Sequence, residues 1–344
     1  MYEGSHVDRY VLGVLVSSTG TIQVWQGWDP ALERYVSVRL IPLSDPRAPL
    51  AAQAARQAAT VDERRLVGVL DVMDAVRLGD ADYVAIVNEW VEGTNLADLY
   101  EDREGEPIDA PEALTLVHQV ALAVLASQSQ GVPHGRLRPA SLLLADAPFD
   151  LVDLASDADS VRIRGLAVDA VLWPRPALPF PDVEAPPVDS DVHGVGCLLY
   201  AAVTGRWPEG LVDGMSPAPR SGDRLLPPSQ VVAAVPPVVD ALCMRAIDPR
   251  VSGDWPAKRG RAPYADLAAL ATALGAALGS RPRRDQWASE ADLDDEPRPM
   301  SAGRRAARAV ARLAVAAAAL TIVGGVGFLG FQIANSAASP AGTR

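Results

Sequence analysis

Several things are scarce in this 344-residue chain, and each scarcity excludes a class of protein. Cysteine occurs twice, as Cys197 and Cys243, in no spaced motif. That excludes a disulfide framework and fits two buried, reduced thiols in a reducing compartment. Histidine occurs four times, as His6, His118, His134 and His193. None is paired at metal-ligand spacing, so no zinc site is expected. Aromatic residues make up 5%, and Ala, Val and Leu supply most of the apolar mass. Positive charge is outweighed, with a net charge of −12, so nucleic acid is not an expected partner. An apolar N-terminal run is missing too. Glu3, Asp8 and Arg9 interrupt it, and no secretory leader is expected.

What is present is a chain with 49% hydrophobic residues, enough to bury a large core in one two-lobed domain or two small ones. Tyr10 to Val16, Ile22 to Gly27 and Tyr35 to Ile41 read as strands, separated by turn residues such as Gly20 and Asp29-Pro30. Residues 50–60 are Ala-rich and predict a helix; Leu66 to Val72 and Tyr83 to Trp90 predict two more strands. The remainder to about residue 279 reads as mainly helical. Ala113 to Gln128 carries Leu114, Val117, Ala121 and Leu125 at helical spacing. Val192 to Val203, Pro237 to Ala246 and Tyr264 to Leu278 are further helices. The prolines from Pro174 to Pro187 deny continuous helix there.

Residues 280–308 read as a charged, Pro-rich linker in which Asp292, Asp294, Asp295 and Glu296 form a solvated charge run. No charged residue appears from Leu313 to Ala334, long enough to cross a bilayer as a helix of about 20 residues. Arg304, Arg305, Arg308 and Arg312 precede it and only Arg344 follows. A membrane helix over 309–335 is therefore expected, as a single pass in the cell membrane. By the positive-inside rule residues 1–312 are cytoplasmic and the C-terminal tail, 336–344, lies outside. Ala317, Thr321 and Gly325 recur every four residues on that segment, the spacing that lets membrane helices approach closely.

The stretch His134-Gly135-Arg136-Leu137-Arg138-Pro139-Ala140-Ser141 has the outline of a protein-kinase catalytic loop, H-R-D-L-x-x-x-N. Tyr10-Val11-Leu12-Gly13 matches the opening strand, and Val36-Ser37-Val38-Arg39 stands where V-A-I-K belongs. Glu89-Trp90-Val91-Glu92-Gly93 with Leu96 matches the hinge between lobes. Ser190-Asp191-Val192-His193-Gly194-Val195-Gly196 matches the long central helix. On these residues the chain resembles the eukaryotic-like (Hanks-type) serine/threonine kinase fold over roughly residues 8–279. More narrowly, it looks like the actinobacterial pseudokinase associated with the lipid II flippase of the MviN or MurJ type. The resemblance implies an α+β, two-lobed fold: a β-rich N-lobe with hinge over 1–100 and a helical C-lobe over 101–279, followed by the linker and membrane helix. It implies structural roles for His134 and for Asp191, which braces the catalytic-loop backbone.

The departures from the family pattern fall on its chemistry. Arg136 occupies the place of the catalytic base, and a guanidinium accepts no proton. Ser141 replaces the magnesium-binding Asn, and Arg39 replaces the phosphate-gripping Lys. No Asp or Glu lies between Asp45 and Asp62, so the helix near Gln53 or Ala54 offers Arg39 no partner. One glycine, Gly20, remains where the phosphate loop has three. The D-F-G segment is either Gly165-Leu166-Ala167, which loses the metal carboxylate, or Asp153-Leu154-Ala155, which keeps it. Together these predict a chain that is not an enzyme, with no cofactor and no metal.

The resemblance then implies a scaffold at the membrane in control of peptidoglycan precursor export. Its partners would be a lipid II flippase, an active Ser/Thr receptor kinase and a forkhead-associated (FHA) domain protein reading phosphothreonine. The linker from Ser280 to Arg304 has no threonine, so either a phosphothreonine lies within the folded domain, for example at Thr19, Thr21 or Thr94, or no such recruitment occurs. Two alternatives stand beside this: a nucleotide sensor holding ATP through Arg39, Glu89, Val91 and Asp153, and an unconventional ATP-dependent transferase with Asp150, Asp153 and Asp157 as metal ligands.

Overall fold

The computed structural model describes residues 2–103, 105–144, 161–175, 179, 188–253 and 262–279. The predicted linker and membrane helix, and Asp150, Asp153 and Asp157, lie outside these residues. The N-terminal part is a six-stranded antiparallel sheet with strand order β1-β2-β3-β4-β6-β5. Its strands are β1 (His6–Val7), β2 (Tyr10–Thr19), β3 (Ile22–Asp29), β4 (Arg34–Pro42), β5 (Val69–Leu78) and β6 (Ala81–Glu89). The predicted fourth long strand starts later and runs further than its apolar run suggests. Leu66 leaves the sheet to bridge Ile163, while Asp71, Asp74 and Arg77 continue the strand at a half-exposed edge.

The sheet buries both faces. One packs Tyr10, Leu12, Val36, Val38 and Val87 together. The other takes Ile41, Val84 and Ile86 against helix α1 (Ala48–Ala58), whose Ala48, Ala51, Ala52 and Ala55 are buried. Alanine favours helix and presents almost no side chain, so neighbours approach closely. Into that space comes the short helix α4 (Val168–Leu172), which sets Val168 and Leu172 against α1. Arg47 donates to the Leu172 carbonyl at 2.6 Å, satisfying one of the acceptors exposed at the end of α4.

The second lobe is helical. It comprises α2 (Leu96–Asp102), α3 (Ala110–Ser129), α5 (Ser190–Thr204), α6 (Pro228–Val231), α7 (Pro237–Ala246), α8 (Pro249–Ser252) and α9 (Leu267–Gly279). A small sheet joins β7 (Thr94–Asn95), β8 (Leu142–Leu144) and β9 (Val161–Ile163). Helix α5 is the spine, and from Asp191 onward every residue is buried. Two glycines make this possible. A Cβ on Gly194 would meet Leu137 of the catalytic-loop segment at 2.7 Å, and one on Gly196 would meet Ala246 of α7 at 2.6 Å. Helix α3 is the one described helix long and apolar enough to cross a membrane; half of it is buried, and it packs against α5 and α9 as a core helix.

Candidate functional site: the cleft between the lobes

The two lobes meet around a cleft. Val16 and Val24 line it above, Leu143 below, and Glu89 and Val91 along the connection between lobes. Its inner end holds Arg39, Arg138, Arg164, Gly165 and Asp169.

Arg39 sits mid-strand on β4, opposite Ile86. Its guanidinium reaches Asp169 with Nη1 3.1 Å from Oδ1. Arg138 approaches the other carboxylate oxygen, with Nε 3.7 Å from Oδ2. Asp169 is thus clasped between two cations, and 2% of its side chain is exposed. Its position follows from the backbone. The Asp169 N–H donates to the Gly165 carbonyl at 2.9 Å, so the side chain folds back one helical turn over Gly165. A Cβ at position 165 would overlap the Asp169 carboxylate. The carboxylate missing at 165 is therefore replaced in space by one four residues later. Gly165 has φ +85°, and Ala167 has φ +57°, a conformation that costs a non-glycine residue about 1–2 kcal/mol.

Arg164 is the third cation. Its Nε donates to the Ala140 carbonyl at 2.6 Å, and it forms no ion pair among the described residues. Burial lowers its pKa, and Asp169 nearby opposes that shift.

The catalytic-loop segment is held from below. Asp191 accepts from the His134 N–H (3.0 Å), the Gly135 N–H (2.6 Å) and Gln128 Nε2 (2.8 Å). Asp189 caps α5 by accepting from the Asp191 and Val192 N–H groups, which fixes where Asp191 points. The His134 ring accepts at Nδ1 from the Arg136 N–H, which leaves Nε2–H to donate to the Arg164 carbonyl at 3.1 Å. Ser141 is fully buried, and its Oγ accepts from the Arg138 N–H, closing a tight turn.

Arg136 is 6% exposed and is not among the residues lining the cleft. It turns down into the helical lobe, where Nη1 donates to Glu209 Oε2 at 2.8 Å. The same carboxylate meets His193 Nε2 (3.2 Å), Trp207 Nε1 (3.2 Å) and Arg175 Nε (3.3 Å). The Asp248 N–H donates to His193 Nδ1, so the imidazole carries its proton on Nε2 and gives it to Glu209. Burial by itself would raise the Glu209 pKa. The His193 hydrogen bond and the Arg136 guanidinium outweigh it and hold the carboxyl well below its usual range. Burial lowers the pKa of His193. Arg138 is also paired, with Asp213 at 2.8 Å, and Asp213 accepts from the Ala140 N–H at 2.9 Å.

Of the residues singled out in the sequence, Arg39, Glu89, Val91 and Gly165 meet in the cleft, while Arg136 and Ser141 do not. Glu89 is bonded to Arg162 of β9, a tie between the two sheets. Gly165-Leu166-Ala167 follows directly on β9, and Asp153-Leu154-Ala155 lies outside the described residues. Asp169, Glu209 and Asp213 escaped notice because each works from outside its family motif. The signals were a basic Arg138 that needed a counter-ion and an acid four residues after Gly165.

No protein-family model matches the chain. It is similar to the serine/threonine-protein kinase PknL of Mycobacterium tuberculosis, 30% identical over 259 residues, covering 70% of this chain and 61% of that one. It is similar also to the serine/threonine-protein kinase PknB of Mycolicibacterium smegmatis, 25% identical over 345 aligned positions, covering 92% and 53%. The chain spans between about 34% and 61% of the length of these curated relatives. Among solved structures, the M. tuberculosis PknI kinase domain superposes with a TM-score of 0.57 at 17% identity, covering 81% of this chain and 99% of that one. The fold is therefore that of a protein kinase domain, α+β and two-lobed. One sequence expectation is overturned. The altered motifs denied the chain enzymatic activity, yet its relatives are named serine/threonine kinases, and that kinship points to an enzyme.

Proposed function

We propose that this chain is a kinase-like regulatory scaffold held at the cell membrane. In this reading it acts in control of peptidoglycan precursor (lipid II) export and cell-wall synthesis. The cleft between the lobes serves as its sensing site, and the lobes serve as its docking surfaces. The observation that carries the reading is the Arg39–Asp169–Arg138 clasp. It ties the sheet, through β4, to α4 and to the catalytic-loop segment, so whatever changes the pairing of Asp169 changes how three elements are held. A switch needs such an element with two arrangements.

The partners proposed are a lipid II flippase, an active Ser/Thr receptor kinase and an FHA-domain protein. The bilayer is engaged through the apolar segment 309–335. Thr19, Thr21 and Thr94 are the proposed phosphate acceptors. The experiment is crosslinked affinity capture of the membrane-embedded full chain, with phosphosite mapping. Recovery of a lipid II flippase or an FHA-domain protein, dependent on one of those threonines, supports the reading; repeated absence of both overturns it.

A second reading is an ATP-dependent phosphotransferase of unconventional layout. It is favoured by the names of the relatives and by the carboxylate that Asp169 returns beside position 165. Such a transfer would run with the side chain at position 136 turned away from the cleft. Transfer of label from γ-labelled ATP, abolished by Asp169→Ala, would support it. Absence of transfer under both magnesium and manganese would remove it.

A further inference from the structure

A divalent metal does not fit the inner end of this cleft. Positions 141 and 165, which would supply metal ligands, hold a buried Ser that closes a turn and a Gly. Both oxygens of Asp169 face guanidiniums. Among the described residues no cluster of three His, Cys, Asp or Glu comes together to hold a metal ion. What gathers there instead is positive charge. Arg39, Arg138 and Arg164 line the same end, against the carboxylates Asp169 and Asp213. Arg164 has no acidic partner among the described residues, and the buried Nε–H of Arg138 has no hydrogen-bond acceptor. Guanidiniums are always charged, present a planar fork and match phosphate oxygens two at a time. Ser17 and Thr19 line the roof, where a phosphate loop would carry glycines.

We propose that the cleft binds the phosphate chain of a nucleoside triphosphate directly through Arg39, Arg138 and Arg164, without a divalent metal. The three arginines take the place of the cation. The phosphate chain competes with Asp169 for Arg39, so occupancy opens the clasp and frees α4 from the sheet. The apolar slot between Val24 and Leu143 admits the base. This rests on the reading of the cleft as a sensing site and deepens it. Magnesium-bound ATP carries two fewer negative charges than free ATP and hides phosphate oxygens from arginine. Magnesium is thus a competitor here.

The test is isothermal titration of the full-length protein with ATP, with adenosine and with inorganic tripolyphosphate, each in EDTA and in excess magnesium. ATP is expected to bind in EDTA and to lose at least about threefold in affinity with magnesium. Arg164→Gln should weaken ATP at least about tenfold, the loss of one charge-assisted phosphate contact. Asp169→Asn should tighten it, because a competing anion is gone. Tripolyphosphate binding within about tenfold of ATP would place most of the affinity on the phosphate chain, as proposed. Binding that requires magnesium, no binding of ATP in EDTA, adenosine binding as tightly as ATP, or an unchanged Arg164→Gln affinity would each overturn the inference. The metal comparison uses unaltered protein and so survives any variant that fails to fold. A magnesium-dependent result removes this inference alone; the scaffold reading stands or falls on partner capture.

Discussion

Replacing Glu209 tests whether the cation at position 136 is a structural part of the helical lobe. Glu209 is 2% exposed and meets Arg136, His193, Trp207 and Arg175 at 2.8 to 3.3 Å. Glu209→Leu fills much of the volume and removes the charge. It leaves Arg136, 6% exposed, as a buried cation without its counter-ion, and its Nε already lacks an acceptor. Breaking a buried pair from one side costs about 3–5 kcal/mol. In a domain of this size that lowers Tm by roughly 5–9 °C. Arg136→Leu alone should cost less, because Glu209 keeps His193, Trp207 and Arg175. The double replacement should cost clearly less than the two singles together, since the uncompensated charge is gone from both sides, with a coupling of about 2 kcal/mol. Equilibrium urea unfolding followed by tryptophan fluorescence measures all three. A Glu209→Leu cost below about 1 kcal/mol, or strict additivity in the double variant, would refute the buried-network account.

Three further outcomes follow from the same geometry. Arg136→Asp should destabilise the fold by several kcal/mol rather than restore a base, because it sets a second carboxylate against Glu209 in a buried site; thermal unfolding checks this. Gly196→Ala should cost about 1–3 kcal/mol despite alanine's better helix propensity, since its Cβ would stand 2.6 Å from Ala246; denaturant midpoints measure it. Stability should fall on acidification in two stages. His193 is held neutral in the fold, so as pH drops below the ordinary value of 6.5 the unfolded chain takes up a proton that the folded chain refuses. Below 4.5 the unfolded Glu209 protonates while the folded one, held lower by His193 and Arg136, does not, and that contribution is lost as pH falls further. Unfolding midpoints rising steadily from pH 4 to pH 7 are the expected result. A flat profile over that range would contradict it.

The fold was legible because its large decisions are written locally. Strands β2 to β4 alternate and are punctuated by turn residues, and the run from Val195 to Val203 carries no charged residue, as a buried spine requires. Asp191 could be singled out because its motif is contiguous. The candidate site was only half legible. Arg39 announces itself by position, but its partner lies 130 residues away on α4, and no spacing rule connects the two. The direction of Arg136 was hidden for the same reason. A cation at that place in the sequence says nothing of whether it faces the cleft or turns toward Glu209, 73 residues on. Pairing across such distances is decided by packing, which local pattern does not encode.

The most direct test of the account is a crystal structure of the protein grown with ATP and manganese, with anomalous scattering used to locate the metal. The account predicts phosphate oxygens within hydrogen-bond distance of Arg39 and Arg164, Asp169 displaced from Arg39, and no manganese at its carboxylate. A manganese ion coordinated by Asp169 and bridging two phosphates would contradict it.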